Sequence, residues 1–520
     1  MKELIFHRLL LPTVERQASA TAFVDGETGW TVTFGEHLDR VGRLASALRT
    51  ELGVQPGDRI AVLGQNSLPF MELWHAALLG AAVINPLNIR FSPDELAFVL
   101  ADSGSRVCFV DRHFAGSIDR IREQAGLRTV VLWGEGDVPH DVAYEKLLAA
   151  GVPDVPAEPE EDDGAVLMYT GGTTGHPKGV VLDQRAEVLN QYHIAMALPW
   201  VRDWPFLVQT PMFHGASMLG IMGAPGFGVP SVILPGFDAE KVMAAMERYR
   251  IGMTVMVPTM INMVLGHPAF DPARLRSLRR LVYGAAPMPT ALLEKLLGLF
   301  PELDLVQGYG MTEAAAVLTV LPGADHRRGG QLLASAGRPL PGVEVSIQSD
   351  DDRLLGSDEV GEVCARAGNY MREYWNRPQE TETAFRNGWF HSGDMGYRDA
   401  DGYLFLVDRA KDMIVTGGEN VYSAEVENAI ASHPLVAQVA VIGVPDDQWG
   451  EAVHAVVVPV AGATVTAQAI IAHARTAIAG YKVPKSVSFR DEPLPLSAAM
   501  KILKRELRAP FWEGRERAIN

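Results

Sequence analysis

The chain has 520 residues and a formal net charge of −17 at pH 7, and 48% of its residues are hydrophobic. This length exceeds what one hydrophobic core usually organises, so we expect two or more domains. The acidic balance argues against broad binding to nucleic acid or to an anionic membrane surface. The two cysteines, Cys108 and Cys364, lie far apart and form no Cys-x-x-Cys motif, which indicates a reducing cytoplasm without a disulfide framework or zinc site.

No targeting or transmembrane segment is predicted. Charges interrupt residues 1–8 too early for a signal peptide. The longest apolar stretch, residues 73–87, contains His75 and Asn85 and is too short to span a bilayer, so we interpret it as a core helix.

Residues 34–150 alternate helical patterns with short apolar strands. Helices are predicted over residues 38–48 and 70–79, and strands over residues 59–63 and 107–110. Such alternation is typical of an α/β domain with largely parallel sheets. The acidic, proline-rich residues 153–163 are predicted to form a surface loop.

Residues 169–180 read Tyr-Thr-Gly-Gly-Thr-Thr-Gly-His-Pro-Lys-Gly-Val and follow a predicted buried strand. The glycines let backbone N–H groups converge on an anion, the threonines add hydroxyl donors, and the lysine adds a positive charge. The pattern is not a Walker loop, because Pro177 precedes the lysine and Gly179 follows it. A glycine- and threonine-rich surface turn is the alternative. We predict a phosphate-binding loop made of Thr170, Gly171, Gly172, Thr173, Thr174, Gly175 and Lys178.

The α/β pattern resumes over residues 206–320, with strands near 232–234, 253–257 and 280–283 and helices over 239–249 and 291–299. Two glycine-containing segments follow predicted strands. In the first, Gly284, Ala285 and Ala286 leave room for a planar ring against the backbone. The second, residues 307–313, has an aromatic residue between glycines and ends in Glu313, a suitable Mg²⁺ ligand beside phosphates. A plain turn is the alternative for each.

Residues 330–408 contain short β runs at 343–347 and 361–365, which predict a small barrel or meander. Asp394 ends one run and either accepts the hydroxyls of a ribose or caps a turn. Residues 399–402 are predicted to form a hairpin turn. Helices over 424–432 and 467–480 and strands over 436–444 and 452–460 then predict a separate α+β unit.

Together these segments resemble the adenylate-forming superfamily of acyl-CoA synthetases, luciferases and peptide-synthetase adenylation domains. The resemblance extends from about residue 31 to residue 508. It implies an α/β fold with a large N-terminal domain of α/β subdomains and a small β-barrel over residues 1–410. It also implies a small mobile α+β C-terminal domain over residues 411–520, with the hinge at Lys411.

The resemblance also implies how ATP and Mg²⁺ are bound. The loop from Thr170 to Lys178 would close on the β- and γ-phosphates, and Gly171 stands where the family usually has serine. Thr312 would touch the α-phosphate, and Glu313 would hold Mg²⁺ together with Thr170. The adenosine site would be formed by Gly284, Ala285, Ala286, Gln307, Gly308, Tyr309, Gly310, Met311, Asp394 and Arg409.

The C-terminal unit would supply the remaining groups. Lys501 corresponds to the catalytic lysine, and Met500 stands where the family normally has glycine. Lys504, Arg505 and Arg508 are expected on an exposed helix. For coenzyme A, the resemblance implies a pantetheine tunnel at Gly417 and Gly418, with Trp449 and Tyr481 stacking on the ligand.

His214 lies where the family's acyl pocket begins. Members that activate amino acids usually have aspartate there, so an amino-acid substrate is disfavoured. His214 either gates the carboxylate or is structural. The predicted pocket walls carry no charge, which implies an uncharged tail; they are Ala216, Ser217, Met218, Gly220, Met260, Ala285, Gly308 and Met311. Gly223, Gly226 and Gly228 nearby favour a long or bulky tail.

The sequence therefore predicts a cytoplasmic, ATP- and Mg²⁺-dependent acyl-CoA synthetase for a medium- or long-chain fatty acid. The alternatives are an aryl-acid ligase for cinnamate- or benzoate-like acids, a catalytically impaired adenylate-binding protein, and an enzyme that loads a carrier protein. The expected partners are a small-molecule carboxylic acid, ATP and coenzyme A, and the resemblance leaves room for a homodimer.

Overall fold

A computed structural model describes residues 2–170, 177–409, 412–497 and 500–513 of the chain. Within these ranges the α-helices are α1 (Phe6–Gln17), α2 (Phe34–Thr50), α3 (Leu68–Leu78), α4 (Pro93–Ser103), α5 (Ala115–Ile121), α6 (Tyr144–Ala150), α7 (Gln184–Ala197), α8 (Ala224–Gly226), α9 (Ala239–Tyr249), α10 (Pro258–Leu265), α11 (Thr290–Leu299), α12 (Gly323–Arg328), α13 (Pro378–Ala384), α14 (Ser423–Ala431), α15 (Ala467–Ala477) and α16 (Lys504–Arg508).

The β-strands of the same ranges are β1 (Thr21–Asp25), β2 (Thr31–Thr33), β3 (Arg59–Leu63), β4 (Val83–Pro86), β5 (Val107–Asp111), β6 (Thr129–Trp133), β7 (Val142–Ala143), β8 (Gly164–Thr170), β9 (Lys178–Asp183), β10 (Phe206–Val208), β11 (Ser231–Ile233), β12 (Met253–Met256), β13 (Arg280–Gly284), β14 (Asp304–Tyr309), β15 (Thr319–Leu321), β16 (Arg338–Pro339), β17 (Glu344–Gln348), β18 (Gly361–Arg366), β19 (Glu373–Tyr374), β20 (Phe385–Arg386), β21 (Trp389–Arg398), β22 (Leu404–Arg409), β23 (Ile414–Thr416), β24 (Glu419–Val421), β25 (Val436–Asp446), β26 (Gly450–Pro459) and β27 (Ser486–Phe489).

Two large, mainly parallel sheets organise the first three quarters of the chain. One has the order β19-β9-β8-β4-β3-β5-β6-β7, and the other has the order β16-β15-β14-β13-β12-β10-β11-β1-β2. Buried helices such as α3 pack on them, so the central residues of the strands are mostly apolar. The predicted α/β class is confirmed, because strands that alternate with helices pair in parallel here.

The apolar stretch at residues 73–87 was predicted to be one core helix, and this prediction is wrong. Helix α3 ends at Leu78, and the chain then forms the buried strand β4. Between them Gly80 has a φ of +90°, which only glycine adopts easily, so the helix stops there. A continuous apolar run therefore contains a helix and a strand that are both fully inside the core.

Where the sequence predicted a small barrel or meander, β17, β18, β20, β21 and β22 form one antiparallel sheet. Residues 399–402 form the turn between β21 and β22, where Tyr403 N donates to Asp399 Oδ1 at 2.8 Å and Gly402 has a φ of +83°. The predicted hairpin turn is thus confirmed. Strands β21 and β22 shift register between Met395 and Gly396, and beyond this shift Asp394 lies opposite Arg409.

A smaller C-terminal domain contains strands β23–β27 in a sheet of its own, with α14, α15 and α16 packed against it. Its apolar core includes Val426, Ile430, Val441 and Ile470. This separate core explains why the sequence pattern changes after β22. The boundary predicted between residues 410 and 411 lies outside the described residues and stays a prediction.

Two of the basic residues expected on an exposed helix are buried in ion pairs. Lys504 is 17% exposed in its side chain and lies 2.6 Å from Glu427 Oε1, and Arg508 lies 2.9 Å from Asp412 Oδ1. The prediction is wrong for these two residues, because acidic partners from distant segments surround them. Arg505 is exposed as predicted.

The start of α14 is fastened to the end of the preceding domain. Asp408 Oδ2 on β22 accepts hydrogen bonds from Ser423 N at 2.6 Å and Ser423 Oγ at 2.7 Å. Lys504 Nζ donates to the same hydroxyl at 2.7 Å. Charged hydrogen bonds therefore connect the two domains next to the predicted hinge.

Among the described helices, none combines the length and apolar character needed to cross a membrane.

Candidate active site

The predicted adenine site lies at the carboxyl ends of β13 and β14. These parallel strands bring Gly284 opposite Gly308, and a Cβ on Gly284 would lie 2.1 Å from the Gly308 carbonyl oxygen. Only glycine therefore fits at position 284. Ala285 follows with a φ of +65° and is exposed, and Ala286 is half-buried. The carboxyl ends of parallel strands are where α/β folds bind ligands.

Tyr309, Asp394 and Arg409 form one hydrogen-bonded group across two sheets. Tyr309 Oη donates to Asp394 Oδ2 at 2.8 Å, and Arg409 Nε lies 3.2 Å from Asp394 Oδ1. Burial raises the pKa of Tyr309, and the neighbouring Asp394 charge raises it further. Asp394 in turn raises the pKa of Arg409. Tyr309 and Arg409 thus hold the Asp394 carboxylate in a fixed orientation, as hydrogen bonding to a sugar would require.

Glu313, Tyr374 and Lys178 meet on the other side of the strand ends. Tyr374 Oη donates to Glu313 Oε1 at 2.9 Å, and Lys178 Nζ lies 5.4 Å from the centre of the same ring. Lys178 also pairs with Glu380. Tyr374 was not predicted from the sequence. Its only signal there was the aromatic pair Tyr374-Trp375 directly after residues 368–373, and this pair is far from Glu313 in the chain.

The phosphate loop joins two antiparallel strands. Thr170 ends β8 and lies opposite Lys178, the first residue of β9. The structure thus brings both ends of the predicted loop together. The remaining members, Gly171, Gly172, Thr173, Thr174 and Gly175, lie outside the described residues, as does Lys411.

The segment from Gln307 to Glu313 turns sharply. Gln307 Oε1 accepts from Tyr283 Oη at 3.2 Å, and Thr312 begins a short 3-10 turn after Met311. A Cβ on Gly310 would lie 1.9 Å from the Ala316 carbonyl oxygen, so this close approach requires glycine. Ala315 and Ala316 have φ values of +50° and +110°. Strained backbone therefore surrounds the predicted site.

The loop that carries Lys501 is docked on the large domain. Residues 496 and 502 pair as an antiparallel bridge. Arg90 Nη1 donates to the carbonyl oxygens of Leu496 at 2.7 Å and Ser497 at 2.9 Å. Thr259 Oγ1 donates to the Met500 carbonyl oxygen at 2.7 Å. Neither Arg90 nor Thr259 was identified from the sequence, because nothing local links them to a loop so far along the chain.

His214 and Lys501 come together at the mouth of the predicted acyl pocket. Burial lowers the pKa of His214 to about 3, and the positive charge of Lys501 contributes to this shift. His214 Nδ1 accepts from Ala216 N at 3.1 Å, so the ring proton is on Nε2. His214 is therefore a neutral hydrogen-bond donor through Nε2 near the lysine, and its Nδ1 lone pair is occupied by the Ala216 N–H.

Met500 holds a backbone conformation that favours glycine. Its φ is +60°, which costs a side-chain-bearing residue roughly 1–2 kcal/mol. Its half-buried side chain packs against the apolar cluster of the large domain that contains Met260 and Leu293. Packing on the large domain thus offsets the strain of the left-handed backbone.

Gly417, Gly418, Trp449 and Tyr481 form a separate group on the C-terminal domain. The two glycines make the turn between β23 and β24 with φ values of +62° and +84°. A Cβ on Gly417 would lie 2.7 Å from the Trp449 ring, whose side chain is 47% exposed. Tyr481 is 43% exposed. These residues face solvent while the Lys501 loop faces the large domain.

The wall behind His214 is closely packed. Ser217 Oγ donates to Thr210 O at 2.9 Å, and a π-helical turn, Leu219–Gly223, follows. His75 Nε2 donates to the Ile221 carbonyl oxygen in that turn at 2.8 Å, and burial lowers the pKa of His75 to about 4, so its ring is neutral.

Gly223, Gly226 and Gly228, which were expected to loosen this wall for a long or bulky tail, are closely packed instead. A Cβ would lie 2.4 Å from Trp200 at Gly223 and 2.5 Å from Leu9 at Gly226, and at the predicted wall residue Gly220 it would lie 2.7 Å from Val208. Gly228 is similarly close to Gln17. The expectation of a loosened wall is wrong, because these glycines permit tight packing of α1 and Trp200.

One cysteine lies near other metal-binding side chains, against the expectation from spacing. Cys364 Sγ is 3.3 Å from His391 Nδ1, which is 2.8 Å from Glu362 Oε2. Arg386 Nη2 lies 3.3 Å from that same oxygen. The guanidinium already neutralises the carboxylate, so the cluster is an ion-paired support beneath Asp394.

Comparison with known proteins identifies the family. The sequence model of the AMP-binding enzyme family matches residues 12–375, and that of the AMP-binding enzyme C-terminal domain matches residues 425–501. The chain belongs to the AMP-binding enzyme family, within the adenylate-forming superfamily.

Curated relatives cover nearly the whole chain. The feruloyl-CoA synthase of an Amycolatopsis species is 40% identical over 494 residues, covering 95% of this chain and 96% of the relative. The long-chain-fatty-acid–CoA ligase FadD13 of Mycobacterium tuberculosis is 38% identical over 498 residues, covering 94% and 95%.

A solved structure agrees in fold. The o-succinylbenzoate coenzyme A synthetase of Bacillus subtilis, in complex with ATP and magnesium, has a TM-score of 0.83 at 29% identity and covers 96% of this chain and 98% of its own. With these likenesses, the chain is an AMP-forming acid–CoA ligase.

Lys501→Ala is expected to lower the rate of acyl-AMP formation by about 10²- to 10³-fold, because a positive charge aimed at the phosphate is lost. Thioester formation from supplied acyl-AMP and coenzyme A should be unchanged. The two rates are measured separately by rapid quench, with the exposed Arg505→Ala as control. Equal losses in both steps would refute a role confined to adenylation.

Met500→Ala and Met500→Gly distinguish the effect of the Met500 side-chain packing from the effect of its backbone strain on acyl-AMP formation. Both remove the side chain that packs on the large domain, but only glycine relieves the left-handed backbone. We expect the glycine variant to form acyl-AMP about fivefold faster than the alanine variant, from roughly 1 kcal/mol of strain, and at least as fast as the unaltered chain. Single-turnover kinetics check this; identical rates in the two variants would show that the strain has no kinetic effect.

Proposed function

We propose that the chain converts a carboxylic acid with a compact, uncharged tail into its coenzyme A thioester in two steps within one site. The observation that carries the proposal is the docked Lys501 loop beside neutral His214, above a pocket wall without charged side chains. ATP, the acid and coenzyme A are the substrates.

In the first step, a carboxylate oxygen of the acid attacks the α-phosphorus of ATP, and pyrophosphate leaves. No general base is needed, because the acid is already ionised at neutral pH. Lys501 and Thr312 would stabilise negative charge on the α-phosphate. His214 Nε2–H would donate to the acid's carboxylate, and its neutrality keeps the pocket uncharged.

The residues around Glu313 fit a bound Mg²⁺. Glu313 offers a carboxylate held in place by Tyr374, and Thr170 offers a hydroxyl at the end of β8. One or two carboxylates plus phosphate oxygens are what Mg²⁺ prefers, and the bound ion would neutralise phosphate charge. Lys178 would break its ion pair with Glu380 and bind the β- and γ-phosphates instead.

In the second step, the thiol of coenzyme A loses its proton to solvent, its sulfur attacks the acyl carbon, and AMP leaves. Lys501 would then obstruct the arriving thiol. Rotation of the C-terminal domain about Lys411 would remove it and bring in Gly417 and Gly418, with Trp449 and Tyr481 beside the pantetheine arm. The exposure of this second group supports such an exchange.

The packing of the pocket wall favours an aryl acid. Side chains fill the space at Gly220, Gly223 and Gly226, so the wall behind His214 bounds a short pocket. A planar ring suits such a pocket better than an extended chain. The feruloyl group in the name of a 40% identical relative is an aryl acyl group, in agreement with this choice.

A medium- or long-chain fatty acid is the second candidate. Met218, Met260 and Met311 line the predicted pocket, and methionine side chains can repack around an aliphatic tail. The likeness to a long-chain-fatty-acid–CoA ligase supports it. The cytoplasmic location and the homodimer stay predictions.

Pyrophosphate release with and without coenzyme A decides between these acids. We expect coenzyme A-dependent turnover of cinnamate and benzoate analogues, with kcat/KM at least tenfold above that of aliphatic acids of 8 to 16 carbons, from about 1.4 kcal/mol of better fit. Lys501→Ala serves as the background control.

If only the aliphatic acids were converted, the fatty acid would replace the aryl acid as the proposed substrate. Release of pyrophosphate that coenzyme A does not accelerate would point to another acceptor, such as a carrier protein. Binding of ATP without any release would identify an impaired adenylate-binding protein.

A further inference from the structure

Helix α7 carries polar side chains on its buried face. Glu187, Asn190 and Gln191 are all fully buried, with no exposed surface. Positions three and four apart lie on one side of a helix, so the three side chains form a single stripe. The buried face of a helix is usually apolar. Three buried polar side chains on this face therefore require an explanation.

Glu187 and Gln191 have no hydrogen-bond partner within the described part of the chain. Both carboxyl oxygens of Glu187 and both amide atoms of Gln191 are buried and unpaired, and so is Trp200 Nε1 nearby. Buried polar atoms in native proteins are nearly always paired, because an unpaired one forfeits its hydrogen bonds to water. A polar group from outside the chain would satisfy these atoms.

The stripe contacts two segments that adjoin the predicted walls of the acyl pocket in the chain. Asn190 Nδ2 donates to the Val317 carbonyl oxygen at 2.7 Å, directly after the strained turn at Ala315 and Ala316. On the other side, Gln191 Oε1 lies 2.9 Å from the position of a Cβ on Gly223, in the π-helical turn behind His214. Helix α7 thus closes the space between these two segments.

We propose that Glu187 and Gln191 form the far end of the acyl pocket and select acids whose tail carries a hydrogen-bonding group such as a hydroxyl. This inference rests on the proposed function, since it concerns the tail of the acid that His214 and Lys501 hold at the other end. A hydroxyl on the tail would donate to one side chain and accept from the other. An acid without it would leave both unpaired, which is how polar sites reject apolar analogues.

Two further features agree with the assignment. Burial raises the pKa of Glu187 to about 8, so at pH 7 its carboxyl group is protonated and offers both a donor and an acceptor. The φ values of Ala315 and Ala316 are strained, so relaxation of that turn can admit the tail.

Matched acids and matched variants test the proposal. The acids are 4-hydroxycinnamate against cinnamate and 12-hydroxydodecanoate against dodecanoate. The variants are Glu187→Leu and Gln191→Leu, which remove hydrogen bonding, and Glu187→Gln, which keeps it. For each pair, the ratio of kcat/KM is measured, together with the ratio of dissociation constants by calorimetry, and thermal melting confirms that each variant is folded.

We expect the unaltered chain to favour the hydroxylated member of at least one pair by tenfold or more. Glu187→Leu and Gln191→Leu should each reduce that ratio to threefold or less, and the readout is this loss of preference within a pair rather than the rate with either acid alone. Glu187→Gln should stay within threefold of the original ratio.

A ratio near one in both pairs for the unaltered chain would overturn the proposal, and so would an unchanged ratio in Glu187→Leu and Gln191→Leu. Failure of the proposed function shows differently, as absent coenzyme A-dependent turnover of the plain aryl acid. If the plain aryl acid is not turned over, two measurements still test the role of the stripe. These are the kcat/KM ratio for 12-hydroxydodecanoate against dodecanoate and the ratios of dissociation constants from calorimetry.

Discussion

The proposed function requires Lys501 to reach a phosphate and later to leave it, and the docking of its loop is the interaction on which that function depends. The Lys501 loop belongs to the small domain, yet it is fixed to the large one by two carbonyl contacts from Arg90 and one from Thr259. These contacts are hydrogen bonds to backbone at a partly exposed interface, each of which contributes about 1 kcal/mol net. Three such hydrogen bonds can fix the position of the Lys501 loop on the large domain. They are also weak enough to break when the proposed rotation of the C-terminal domain takes place.

Four residues with strained backbone lie where the two domains and the substrates would meet. Ala285, Ala315, Ala316 and Met500 all have positive φ without being glycine. The surrounding strands over-determine these conformations, as where Gly310 touches the Ala316 carbonyl oxygen. Met500 differs from the alanines, because its side chain adds a packing contact to the docked state. A conformation that the family usually gives to glycine is here tied to apolar contact between domains.

Local sequence predicted the parts of the fold that depend on local patterns. The alternation of strands and helices, the glycines at the ends of β13 and β14, and the turn at Gly402 all follow from residue type and spacing. The break between α3 and β4 was missed, because both elements are buried and a continuous apolar run hides their boundary.

Contacts between segments that are distant in the chain could not be predicted from the sequence either. Arg90 and Leu496 are separated by 406 positions, and Tyr374 and Glu313 by 61, so no motif joins them. The glycines near residue 223 were misread for the same reason, since the groups that fill their space come from α1 and from Trp200. The polar stripe on α7 shows the converse: its residues are close in sequence, but only the three-dimensional structure reveals that Glu187 and Gln191 have no hydrogen-bond partner among the described residues.

Single-turnover kinetics of Arg90→Ala would test the docked loop most directly. Because Arg90 holds the backbone of the Lys501 loop and would touch no substrate, its removal should slow acyl-AMP formation by roughly tenfold or more, and thioester formation from supplied acyl-AMP should keep its rate. Arg112→Ala, an exposed arginine of the same domain, is the control. Unchanged acyl-AMP formation in Arg90→Ala, or an equal loss in both steps, would contradict the claim that this contact positions the lysine for the first step alone.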